Sequence, residues 1–197
     1  MKDANKSRSA NLASTGIGTI DCIRHNFKRP NSVGDLQKGE KQVFAIWWSL
    51  VIANIFPRYI NMDYLFFSSM SQTEFVRLTM SYDIVCQWYL YLWERMLDFP
   101  QRFHIDLEGK TVTFLVPKFH LPAHVEKCQT AFSFNLTQGV GRTDGEAPER
   151  GWSDINPLSS QTKQMGPASR RETIDDHFGD WNYKKVIGLG WCTRHIM

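Results

Sequence analysis

Apolar and polar positions change rhythm several times along this chain, and each change marks an element. From Gly16 to Cys22 (GIGTIDC) the two kinds alternate, which predicts a short strand. Asn26–Gly39 carries Pro30, Gly34 and Gly39 and is expected to be loop. Val43–Phe56 is apolar almost throughout. Asn61–Met70 (NMDYLFFSSM) then has the spacing of an amphipathic helix, and Ser71–Glu74 is a polar break. Phe75–Tyr82 is apolar and β-prone, and Asp83 ends it. Beyond Asp83, residues Ile84, Trp88, Tyr91, Leu92 and Met96 recur at helical spacing until Pro100 stops the helix.

The second half is more punctuated. Ile105–Val116 holds a turn centred on Gly109 between β-prone flanks, the pattern of a hairpin. A helix starting at Pro122 would stack His124 and Cys128 on one face, four residues apart. Gly139, Gly141 and Gly145 permit a tight loop, and Pro148 fits the first turn of a following helix. Gly151–Pro167 is expected to be loop-rich, with turns at Asn156-Pro157 and Gly166-Pro167. Arg170–Lys185 reads as a solvated helix carrying Trp181, and Met1–Ser14 as a polar lead-in.

One run departs from its surroundings. A spanning helix needs about 20 apolar residues, whereas Val43–Phe56 is shorter and includes Ser49 and Asn54. A buried element is the expectation, and a small membrane-associated protein ranks last among the readings.

Composition narrows the class. A chain of 197 residues suits one domain of ordinary size. Its hydrophobic content of 42% is enough for a core and argues against general disorder. The net charge of +3 is compatible with nucleic acid without demanding it. Cys22, Cys86, Cys128 and Cys192 are widely spaced and no secretory signal follows Met1, so a reduced setting is expected rather than a disulfide framework. Neither a phosphate loop nor a nucleophile elbow is present, which leaves nucleotide-kinase and serine-hydrolase readings without a motif.

Two constellations carry chemistry. The first is acidic: Asp83 at a strand end, with Asp144, Glu146 and Glu149 around a later helix start. Carboxylates so placed are helix-capping groups favoured by the dipole, or ligands for a hard divalent cation. Spacing alone favours capping. The second set is Cys22-x-x-His25 with His120, His124 and Cys128, residue types that ligate zinc. Buried cysteines and hydrogen-bonded surface histidines are the plainer alternative.

These residues stand in blocks that resemble the Kyakuja–Dileera–Zisupton (KDZ) family of DNA transposases. The blocks are Cys22-Ile-Arg-His25, Pro30–Glu40, Asn61-Met-Asp-Tyr64, Ser81–Trp88 and Pro117–His124. Phe132–Asn135, Gly139–Trp152, Met165-Gly-Pro167 and Asp175–Trp181 follow in order. The resemblance implies an α/β, ribonuclease-H-like core that cuts and joins DNA with a DDE acid triad and Mg²⁺ or Mn²⁺. Asp83 would be the second acid and Glu146 the third, with Glu149 as the runner-up. Arg142 and Arg150 would bind DNA phosphate or pair with those acids, Lys163 would contact DNA, and zinc would be held within the Cys22, His25, His120, His124 and Cys128 set.

The family's first aspartate belongs to a strand upstream of the Cys22 block, and Asp3 and Asp21 do not stand in its motif. The expectation is therefore a partial catalytic domain over residues 1–197 with helical additions, acting in the nucleus but inactive alone. The alternative is a module that binds DNA or a full-length transposase, with self-association an option and no small-molecule substrate. Lys41–Pro57 interrupts the family pattern and is expected to be a translated intron, with Trp191–Met197 an atypical tail.

Overall fold

The computed structural model describes residues 14, 16–36 and 56–194. Two small sheets and a set of helices make a mixed α/β arrangement. The first sheet is antiparallel, β1 (Gly16–Cys22) against β2 (Phe27–Leu36). β1 follows its alternating pattern. β2 lies where loop was expected, because its turn residues are absorbed by a bulge: Thr19 pairs with Val33 but Asp21 with Lys28, so Arg29–Ser32 stand out of register. Pro30 lies within that bulge, where its missing N–H takes no ladder bond away, and Asn31 adopts φ 54° beside it.

α1 (Phe56–Met70) begins earlier than the pattern from Asn61 suggested. Phe56 and Pro57, the last residues of the suspected insertion, open it, and positions 37–55 fall outside the described residues. Leu65 of α1 sits directly over Gly18 and Gly34 of the hairpin. No described helix is long and apolar enough to cross a membrane.

The second sheet pairs β3 (Arg77–Ser81) with β4 (Thr111–Leu115) in parallel. Gly109 does turn the chain, with φ 66°, yet β4 pairs with β3 rather than closing a local hairpin. Between them the helix expected after Asp83 is broken into α2 (Val85–Trp88) and α3 (Leu92–Met96), with Tyr91 left-handed at φ 56°. The break has a cause in the core. Arg95 turns back to donate to the carbonyls of Trp88 at 2.8 Å and Leu90 at 2.5 Å, which an unbroken helix would have used itself.

The main core gathers Phe66, Phe67, Val85, Trp88, Leu92 and Val116. Trp88 meets Phe66 edge-on, ring centroids 5.3 Å apart. Inside this apolar mass lies Asp63, which accepts from Arg95 at 2.6 and 2.9 Å and from the Trp88 indole at 2.8 Å.

A second, smaller cluster joins Ile155, Ile174 and Phe178 to Ile17, Val33, Trp152 and Leu158. It is built by α5 (Ala147–Thr162) and α6 (Pro167–Arg194), which follow the short α4 (Glu126–Ala131). α5 runs through Pro157, where a turn was expected, because Trp152, Ile155 and Leu158 share the face packed on the cluster. Gly166-Pro167 does act as the break, with Pro167 opening α6. Beyond Arg194 the atypical tail falls outside the described residues.

Candidate acidic cleft and cysteine–histidine cluster

Strands β3 and β4 deliver their carboxyl ends side by side, since Ser81 pairs with Leu115 and Tyr82 N–H donates to Leu115 at 3.1 Å. Asp83 follows at once in the turn before α2, its side chain half exposed. The glycine loop returns to the same place. Gly145 has φ 82°, and a Cβ there would lie 2.5 Å from Ser81 Oγ and 3.1 Å from Pro117 Cα. Only glycine allows both the backbone conformation and that approach. Lys118 N–H donates to the Asp144 carbonyl at 2.9 Å, pinning the loop to the end of β4.

Asp83 and Glu149 consequently line one cleft of about 240 Å³, together with Asp21, Thr79, His120 and Trp152. The cleft lies between β1 and β3, each of which is paired on one side only among the described residues. Glu146 does not line it. Its carboxylate accepts from the Phe119 N–H at 2.8 Å and sits 3.8 Å from His120 Nδ1, so it secures the Pro117–His120 turn.

The remaining acids are engaged. Asp144 accepts from Arg150 at 2.9 Å and from the Glu146 N–H at 3.0 Å; these bonds, Arg150 first, hold its carboxyl below the usual range. Asp21 pairs with Lys28 at 2.7 Å. Burial pushes the Asp21 carboxyl up and Lys28 pulls against that shift. The Lys28 ammonium lies 4.8 Å from the centre of the Phe178 ring, so this ion pair belongs to the second cluster. Of the cations singled out by sequence, Arg150 is tied to Asp144, while Arg142 and Lys163 are exposed.

The sulfur and imidazole groups divide in two. Cys22 Sγ is 3.5 Å from His25 Nδ1 at the β1–β2 turn, and that pair stands apart. His124 and Cys128 are joined instead by Cys86, with all three ligand atoms within 4.8 Å of one another. Sequence reading missed Cys86, which sits one helical turn beyond Asp83; that offset was the available signal. His124 also precedes α4 rather than lying on a helix from Pro122, because Leu121–Ala123 forms a separate 3₁₀ turn. Burial and the neighbouring Cys128 thiol raise the Cys86 thiol pKa.

A sequence model of the Kyakuja-Dileera-Zisupton transposase family matches residues 1–182. The chain belongs to that family. No curated protein and no solved structure matches it. Within a Kyakuja–Dileera–Zisupton chain the two donor sets have distinct chemistry. Two carboxylates facing an open cleft suit a hard divalent ion that keeps several waters, as Mg²⁺ does. Two thiols and an imidazole suit a softer one. The family also makes DNA the natural partner of the chain.

Proposed function

We propose that this chain is the DNA-processing part of a cut-and-paste transposase, working in the nucleus, with Asp83 and Glu149 as the acids that hold Mg²⁺ or Mn²⁺. The observation that supports this reading is their convergence on one cleft at the carboxyl ends of a parallel strand pair. A divalent ion held there would supply an activated water or hydroxyl and neutralise charge on the leaving oxygen of a phosphodiester. The protein's part is to fix the two carboxylates. β3 and the Gly145 approach set their spacing, and Glu146 braces His120 alongside. On this reading Glu149 rather than Glu146 is the last acid of the triad.

The same cleft supports the view that the chain does not complete strand transfer alone. Asp21, the further acid in its wall, is bound to Lys28, which leaves two acids among the described residues for a three-acid centre. A strand entering between β1 and β3 would unite the two ribbons into one ribonuclease-H-like sheet and bring its own side chains beside Asp83. The phosphate contacts would come from Arg142 and Lys163, with Arg150 held in reserve by Asp144.

Titration with Mn²⁺ followed by electron paramagnetic resonance tests the assignment. Asp83→Asn and Glu149→Gln should each weaken binding by at least the roughly 10–100-fold that loss of a partner behind the ligands costs, while Glu146→Gln leaves it unchanged. The reverse pattern for the two glutamates would return the role to Glu146. Incubation of the purified chain with DNA and Mg²⁺ should give salt-sensitive binding without cleavage, and cleavage would overturn the claim of inactivity.

A further inference from the structure

The geometry points to a zinc site formed by Cys86, His124 and Cys128, a structural staple set beside the acidic cleft. Zinc bound tetrahedrally at roughly 2.3 Å to sulfur and 2.0–2.1 Å to nitrogen holds its ligand atoms roughly 3.5–3.8 Å from one another. Cys86 Sγ and His124 Nδ1 are already 3.5 Å apart, and Cys128 Sγ completes a triangle with no side longer than 4.8 Å. Closing on an ion requires the longest side to shorten by no more than about 1.3 Å. Both thiols are free rather than joined in a disulfide. Among the described residues this is the one group of three or more such ligands.

The surrounding structure shows what the ion would do. From Leu121 to Ala131 no residue is fully buried, and Val125 is 71% exposed. Only Leu121, at its start, packs on the main core, and the rest of the segment has little apolar surface to hold it on the body of the protein. Its link to α2 runs through the sulfur and imidazole groups, as in small elements that depend on metal for their fold. His124 is also held at its backbone and faced by a carboxylate at its ring. Gln129 Nε2 donates to the His124 carbonyl at 2.6 Å, and His124 Nε2 faces Asp83 Oδ1 at 3.6 Å. A histidine with one nitrogen toward a metal and the other toward a carboxylate is the usual arrangement at zinc sites.

The fourth coordination position is open to water, since all three ligands are only half-buried, unlike the closed four-ligand set of most structural zinc sites. The Cys22–His25 pair takes no part, having two ligands and lying outside the group. Soft and hard donors sort the two metals: zinc on the thiolates, Mg²⁺ or Mn²⁺ on the carboxylates. The proposal holds whether or not Asp83 acts in phosphoryl transfer.

The full chain, purified reduced, should carry about one zinc ion, and excess Mg²⁺ should not displace it. Cobalt substitution should give thiolate-to-cobalt charge-transfer absorption together with the intense visible bands of tetrahedral Co²⁺. Cys86→Ser and Cys128→Ser should each reduce metal content to background, while Cys22→Ser and His25→Ala retain it. Cys86→His preserves a ligand, so it should keep the metal while weakening the charge-transfer band. Chelation of zinc from the unmodified chain should speed amide exchange across Leu121–Ala131, a readout that needs no variant to fold. Metal content unaffected by Cys86→Ser, loss of metal on Cys22→Ser, or exchange unchanged by chelation would each overturn the proposal.

Discussion

The region around α1 and the region around α6 are held together in different ways. The first is an aromatic mass, Phe66, Phe67 and Trp88 among aliphatic neighbours, closed over a buried Asp63–Arg95 pair. The second has three buried apolar residues among the described ones, Ile155, Ile174 and Phe178, and relies on polar joints. Arg170 reaches Asp35 and Thr162 at 2.9 and 3.0 Å, the Trp181 indole donates to the Asn26 carbonyl at 2.8 Å, and Lys28 sits beside the Phe178 ring. Area removed from water adds over many atoms, while each polar joint contributes only its own small net gain. The acidic cleft lies along the seam, with Asp83 carried by the first region and Glu149 by the second. Its width therefore follows from how the weaker region docks on the stronger.

Three changes would break or sharpen that contrast. Asp63→Ala leaves Arg95 buried without a counter-charge and should cost about 3–5 kcal/mol, read by chemical denaturation with loss of structure throughout. A cost below 1 kcal/mol would mean that the pair does not organise the first region. Gly151→Ala acts on the other side, since a Cβ there would lie 2.8 Å from Lys28 Nζ. The ammonium is the flexible end of Lys28 but is tied to Asp21, so the ion pair must shift. Set against the helix propensity that alanine gains inside α5, the net cost should be about 1 kcal/mol, with amide exchange raised in α6 and β2 while α1 stays protected. Equal loss of protection in α1 would show that the two regions are one cooperative unit.

The smallest effect is at the seam. The Asp144 carboxyl is held down by Arg150 and the Glu146 N–H, so its ionised form stabilises the folded loop. That contribution is present above the ordinary carboxylate range and is lost as pH falls through the lowered folded value. Acidification should therefore loosen the Gly141–Arg150 loop, seen as line broadening in NMR. Asp144→Asn should remove the pH dependence, and a loop whose mobility ignores both changes would contradict the assignment.

The parts legible in sequence are those where local pattern and tertiary contact agree. β1 alternates and pairs as it reads, and β3 hands Asp83 to a turn as its apolar run suggests. Elsewhere a distant partner decided. β2 reads as loop because Pro30 and Asn31 dominate its middle, yet the bulge lets its two ends pair with β1. The stretch from Ile84 to Met96 reads as one helix because its apolar residues keep helical spacing, and nothing local announces that Arg95 will take the carbonyls of Trp88 and Leu90.

The site shows the same division. Asp83 stands out by position. Glu146 and Glu149 are three residues apart at a helix start, and only the Phe119 N–H tells them apart by claiming Glu146. Cys86 was hidden inside a helical apolar pattern, because zinc ligands from separate segments leave no fixed spacing.

The Asn182 side chain has a consequence of another kind. Its amide accepts from the Lys28 N–H and donates to the Lys28 carbonyl, both at 2.9 Å, as a residue on a neighbouring strand would. α6 thus caps the outer margin of β2 at Lys28, a place where a bare strand would recruit another molecule's backbone. With that position occupied, intermolecular strand pairing is steered away from the hairpin's outside at Lys28, and among the described residues β1 and β3 keep margins through which a further strand could join.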